Sequence, residues 1–172
     1  ANLGAALQRL GRHDEAVAAY RTALAIEPNA TAWFSLGSAQ RDQGRPGDAA
    51  DSYRQALALR PDYADAHSNL GEILRDQGDG AATVAAFEAA LAIDPAHGEA
   101  NYNLGLFHYD LGELDRAAPY FERARIRDWQ ERVLYCRYKT RRYDAFRTGL
   151  DALIAARNDS PMVATLSAHH AA

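Results

Sequence analysis

Apolar residues recur three and four positions apart along most of the chain, as in Leu70, Ile73 and Leu74 and then Val84, Phe87 and Leu91, with polar residues between them. That spacing predicts amphipathic helices, since strands would alternate every second residue. The pattern is interrupted at Gly11, Gly44, Gly78 and Gly112, and again at Pro28, Pro61 and Pro95. Glycine closes helices in left-handed geometry and proline cannot continue them. First helices are therefore expected at about 1–10, 31–43, 64–77 and 98–111, and second helices at about 14–26, 47–59, 81–93 and 115–127.

The whole arrangement repeats every 34 residues: Leu36-Gly37, Leu70-Gly71 and Leu104-Gly105 share one spacing, as do Tyr53, Phe87 and Phe121. Pro28 and Pro61 are 33 apart, which puts a one-residue deletion in the first turn between repeats. A period of this length marks stacked helical hairpins that bury their apolar faces on one another. Function then has to be sought on a surface. Gly37, Gly71 and Gly105 fall inside first helices, where glycine costs up to about 1 kcal/mol against alanine, so a close approach between helices is the expected compensation. Small Ala16, Ala49, Ala117, Ala23, Ala56, Ala90 and Ala124 let the hairpins nest, with Tyr20, Tyr53, Phe87 and Phe121 filling the gaps between hairpins. Thr83 stands where the small alanine belongs and is expected to weaken its junction slightly, and Pro119 is expected to kink its helix.

Beyond Arg127 the pattern decays, with Trp129 where the proline should be and Arg141 or Arg142 where the turn glycine should be. Val133, Leu134, Cys136 and Tyr138, then Phe146, Leu150, Leu153 and Ile154, still read as a helix pair at about 129–140 and 143–157. A last helix at about 160–170 starts at Ser160-Pro161, an N-cap followed by proline at the first helical position. The expected organisation is four repeats over 1–128, the first truncated at its N-terminus as in an excised fragment. A degenerate fifth hairpin over 129–157 follows, and 158–172 is a capping helix or the start of a following segment.

Trp33, Leu36-Gly37, Gly44, Ala49, Tyr53, Ala56 and Pro61 together resemble the tetratricopeptide repeat (TPR) family, over residues 2 to 128. The large aromatic that opens the first helix is kept only at Trp33 and replaced by His67 and Asn101. The resemblance implies an all-α, right-handed superhelix of antiparallel helix pairs whose first helices line a concave groove. By position, that groove is expected to present Arg9, Phe34, Ser35, Arg41, Asp42, Asp65, Glu72, Arg75, Asp76, Tyr102, Tyr109 and Asp110, with Gln8, Thr31, Ser38, Ser68, Glu99 and Leu106 beside them. Asn2, Asn69 and Asn103 precede the Leu-Gly or its counterpart, with Ser35 interrupting the row. This is similar to the asparagine ladder of O-GlcNAc transferases, where amides grip the backbone of an extended peptide; an amide both donates and accepts. Asn as an ordinary consensus residue is the other reading. The Lys, Arg and Asn clamp by which some relatives hold chaperone C-termini is missing, because the only lysine is Lys139.

Composition narrows the function class. The formal net charge is −4, but residues 121–147 carry nine Arg or Lys against four acids, leaving ten against nineteen elsewhere. The groove positions are more acidic than basic, so a neutral or basic extended segment is the better guest. The basic hairpin, with Trp129, Tyr135, Tyr138 and Tyr143 among its arginines, has the chemistry for phosphate pairing and base stacking, yet a solvated face or a docking surface is preferred and nucleic acid is not the expected partner. No apolar run approaches the roughly 20 residues of a spanning helix, no secretory signal is visible, and the lone Cys136 fits a reducing compartment, so a cytoplasmic, membrane-free protein is expected. His97, His108-Tyr109-Asp110 and His169-His170 lack metal-ligand spacing, so no catalytic residue, metal or cofactor is assigned. The expected function is a protein-interaction scaffold holding an extended peptide or partner segment, with self-association left open by the helix faces at both ends. The alternative is a substrate-recruiting arm of a larger enzyme, an O-GlcNAc-transferase-like glycosyltransferase or a 2-oxoglutarate-dependent oxygenase, since 129–168 loosely resembles the hairpin that joins such arrays to a catalytic region.

Overall fold

The computed structural model describes residues 2–126, 128–140, 143–156 and 161–170, and among them it contains eleven α-helices and no strand. They are α1 (Asn2–Arg9), α2 (His13–Ile26), α3 (Ala30–Asp42), α4 (Pro46–Leu59), α5 (Ala64–Asp76), α6 (Gly80–Ile93), α7 (Gly98–Asp110), α8 (Leu114–Ala124), α9 (Trp129–Lys139), α10 (Tyr143–Ala155) and α11 (Pro161–His170). The chain divides into two units, Ala1–Pro95 and Ala96–Ala172.

In the first unit α1 packs on α2, α3 on α4 and α5 on α6, and the hairpins join through α2 with α3 and α4 with α5. Each turn inside a hairpin is built the same way. Gly44 has φ +71°, its N–H donates to the Arg41 carbonyl at 2.8 Å, and Arg45 N–H reaches back to the Gln40 carbonyl at 2.9 Å. That double bond closes the helix and satisfies carbonyls left over at its end. Second helices stop differently: Glu27, Arg60 and Asp94 are pushed out of helical conformation, each directly before a proline. Asn29 and Asp79 then cap the starts of α3 and α6, accepting from Ala32 N–H at 2.9 Å and Ala82 N–H at 3.0 Å.

The mid-helix glycines explain the hairpin. A Cβ on Gly37 would lie 2.7 Å from Tyr53 Cε1, and one on Gly71 would lie 2.9 Å from Phe87 Cε1. Each aromatic ring thus sits in the notch left by the glycine of its own hairpin, while Tyr53 also packs with Leu70 and Ile73 of the next one. Tyr53 and Phe87 are completely buried, which is worth about 1.5–3 kcal/mol for each side chain. Thr83 is buried too, but its hydroxyl donates to the Asp79 carbonyl at 2.7 Å, so the extra polar group is satisfied.

In the second unit α7 packs on α8, α8 on α9, and α9 on α10 and α11. Gly105 repeats the notch against Phe121, and Gly149 makes another against Leu134. α8 includes Pro119 but ends at Ala124, three residues short of expectation, because Arg125 adopts the left-handed conformation with φ +49°. Arg125 occupies the station held by Leu57 and Leu91 in earlier repeats, so the apolar contact that would carry the helix onward is missing.

Candidate functional site

On the first unit's face of first helices, side chains connect one repeat to the next. Gln8 Nε2 donates to Asp42 at 2.9 Å while its carbonyl accepts the Tyr20 hydroxyl at 2.8 Å. Arg41 reaches Glu72 of the following repeat at 3.0 Å, and Arg75 stands 3.6 Å from Asp76. The charges that looked like a free acidic lining are therefore partly matched internally. Pairs this exposed contribute only about 0–1 kcal/mol each, so a ligand can exchange for them at little cost.

The buried aromatics organise the polar row. The Tyr53 hydroxyl lies 3.3 Å from Ser38 Oγ and accepts from Asn69 Nδ2 at 3.3 Å. Burial pushes the Tyr53 phenol above its usual range, opposed by these two hydrogen bonds and by Arg41. Tyr20 is raised in the same way by burial, with the Ser35 hydroxyl opposing. Asn69 thus uses one bond on the aromatic of the preceding repeat. Phe34 lies between Tyr53 and Tyr63, with ring centroids at 5.6 and 4.8 Å, and the Arg60 guanidinium caps Tyr63 at 3.3 Å. Arg9, Asp65 and Asp76 are exposed, whereas Ser68 turns inward and is buried.

In the second unit the expected positions separate. Tyr109 is half-buried and Asp110 exposed, but Tyr102 and Asn103 are only 4% and 2% exposed. Tyr102 is held in an internal cluster: its hydroxyl donates to Asp128 at 2.6 Å and accepts from Arg132 Nε at 3.0 Å, while Arg132 pairs with Asp128 at 2.9 Å. The Arg132 guanidinium also lies 5.5 to 5.7 Å from the Tyr102, Tyr109 and Phe121 rings. Burial works to raise the Asp128 carboxyl, but the bonds from Tyr102 and Arg132 outweigh it and hold it below its ordinary value. Sequence reasoning named Arg132 only as one arginine of the basic hairpin and did not single out Asp128, because at the point where the repeat decays no spacing announces the pair.

Several described cations of the basic hairpin are engaged within its own fold. Arg123 donates to Asn101, Arg137 pairs with Glu122, and Lys139 lies 5.6 Å over the Tyr135 ring. Arg127, Arg141 and Arg142 lie outside the described residues, as does the side chain of Asn2. His108 is buried, 2.7 Å from Glu113 and stacked on Tyr120. Among the described residues no group of three or more His, Cys, Asp or Glu is placed to hold a metal ion, and no helix is long and apolar enough to cross a membrane. Cys136 is buried in the α7–α9 core, and burial pushes its thiol up to about 11. It should react with a thiol reagent at pH 8 far more slowly in the folded protein than in urea; equal rates would show an accessible thiol.

A family model for the tetratricopeptide repeat matches residues 2–64, 36–97 and 69–132, and the chain belongs to that family. The crystal structure of MamA has 24% identity, covers 86% of this chain and 92% of its own, and superposes with a TM-score of 0.72. PilF of Pseudomonas aeruginosa gives 24% identity, coverage of 96% and 78%, and a TM-score of 0.78. YrrB, described as a TPR protein with an unusual peptide-binding site, gives 19% identity, coverage of 96% and 89%, and a TM-score of 0.72. At such identities the likeness establishes the all-α TPR solenoid fold. No curated protein matches the chain.

Proposed function

We propose that this chain is a non-catalytic interaction module that holds an extended peptide segment against its first-helix face, chiefly across α3 and α5 of the first unit. Membership of the TPR family supports a protein-binding role in general, and YrrB's reported peptide-binding site is a precedent on the same fold. The observation that carries the finer reading is Asn69. Its amide is half-buried, spends one donor on Tyr53, and has no further bond to the described residues. It therefore keeps an acceptor and a second donor, the pair that a peptide backbone unit needs. Arg41 and Glu72 flank it with an exchangeable ion pair, and Phe34 supplies an apolar contact.

Asn69→Ala should weaken binding of peptides selected from an immobilised library by roughly three- to tenfold, the equivalent of one backbone hydrogen bond of about 0.5–1.5 kcal/mol. Asn103→Ala, at a buried position, should instead act on stability. Unchanged affinity in Asn69→Ala would remove the amide grip.

A further inference from the structure

We infer that the chain associates head to tail with copies of itself, Ile26 and Glu27 of one molecule entering a cleft between α8, α9 and α10 of the next. The cleft has a volume of about 390 Å³; buried Val133, Leu134 and Leu153 give it an apolar lining, with half-buried Trp129 and exposed Arg125 beside them. In the first repeat Leu24 holds the station of Arg125 and is buried, and Leu57 and Leu91 are half-buried at the same station in the next two. Arg125 takes it with a left-handed backbone, the only residue other than glycine with positive φ among the described residues. A place that three repeats close with their own leucine is thus left open to an apolar side chain from outside.

Charge says what should accompany that side chain. Glu122 and Arg137 both line the cleft, but they pair with each other and their charges cancel. The Arg125 guanidinium has no hydrogen bond or ion pair among the described residues, which leaves one unmatched cation next to an apolar lining. A planar guanidinium receives a carboxylate through two parallel hydrogen bonds. The fitting guest is an aliphatic side chain with an acid next to it.

The chain presents such a pair on its own surface. Ile26, Leu59 and Ile93 end α2, α4 and α6 at one repeating station and are 81%, 54% and 39% exposed. Leu59 is followed by Arg60, a second cation, and Asp94 behind Ile93 already has a partner, so neither suits Arg125. Glu27 is exposed and its carboxylate has no bond among the described residues, directly beside the most exposed of the three apolar side chains. The cleft lies mainly in the stretch 121–147, with nine basic residues against four acids, and Ile26 and Glu27 lie in the remainder, with ten against nineteen, so long-range attraction favours this contact between copies. Because the two surfaces differ, each copy keeps one of them available for a further molecule.

Sedimentation velocity on the whole chain should give a weight-average mass that rises with concentration, followed up to about 1 mM. Arg125→Glu, Ile26→Asp and Glu27→Arg, all at exposed positions, should keep the parent's helical circular dichroism and weaken association by roughly tenfold or more. The sharper arm mixes Arg125→Glu, which keeps its Ile26 edge, with Ile26→Asp, which keeps its cleft. At a concentration where the parent is assembled, each of these alone should stay a monomer, the mixture should form a one-to-one pair and stop there, and the two changes in one chain should abolish pairing. The inference is overturned if the parent is monomeric throughout that range, if any single variant assembles like the parent, or if the mixture yields no pair.

Discussion

Truncating Phe87 to alanine should lower stability by about 3–5 kcal/mol, read from urea unfolding followed by circular dichroism. The ring is completely buried and its edge fills the notch at Gly71, so removing it opens a cavity that two rigid helices cannot close. The reciprocal change is more diagnostic. Alanine is a better helix former than glycine by about 1 kcal/mol, so Gly71→Ala on an isolated helix would stabilise. Here its Cβ would sit 2.9 Å from the ring, and overpacking of this kind costs about 1–3 kcal/mol, so net destabilisation is expected. Combining Gly71→Ala with Phe87→Leu should cost less than the sum of the two, by more than the roughly 0.5 kcal/mol scatter of independent sites. A neutral or stabilising Gly71→Ala would end the notch argument.

Asp128→Asn should cost about 1–2 kcal/mol at pH 7, because it removes a charged acceptor from both Arg132 and the Tyr102 hydroxyl. The partial exposure of the pair keeps the figure at this modest level. The sign of the pH dependence follows from the direction of the shift. The folded carboxyl lies below its ordinary 3.8, so its contribution is present above that value and is lost as pH falls through the folded pKa. Parent and Asp128→Asn should therefore differ in urea midpoint at pH 7 and converge as the pH is lowered below about 4. Glu113 and Glu15 are lowered as well, by bonds to His108 and Arg12, so it is the gap between the two proteins that reports on Asp128. A gap that stayed constant with pH would mean that Asp128 acts only by its shape.

Much of the fold was legible because its signals are local. Gly44 and Gly78 mark the turns since only glycine enters the left-handed region freely, and Pro28, Pro61 and Pro95 close helices through their missing N–H and rigid ring. The end of α8 was misjudged because Arg125 stops it by adopting a conformation that its residue type does not advertise. Spacing put Gly71 and Phe87 on a common period without pairing them; that the ring enters the notch of the glycine's own hairpin needed the backbone positions of both helices.

The candidate sites divide along the same line. By itself the sequence determined the repeat, the TPR family and the repeating stations along each first helix, since helical periodicity and turn chemistry are properties of neighbouring residues. Tertiary structure alone decided which polar groups those stations still offer. Asn69 and Asn103 occupy the same station, yet one is half-buried and the other covered. The reason is that exposure and hydrogen-bond satisfaction depend on which atoms of distant residues arrive beside a group, and a repeat that specifies the same station every 34 residues does not specify that neighbourhood.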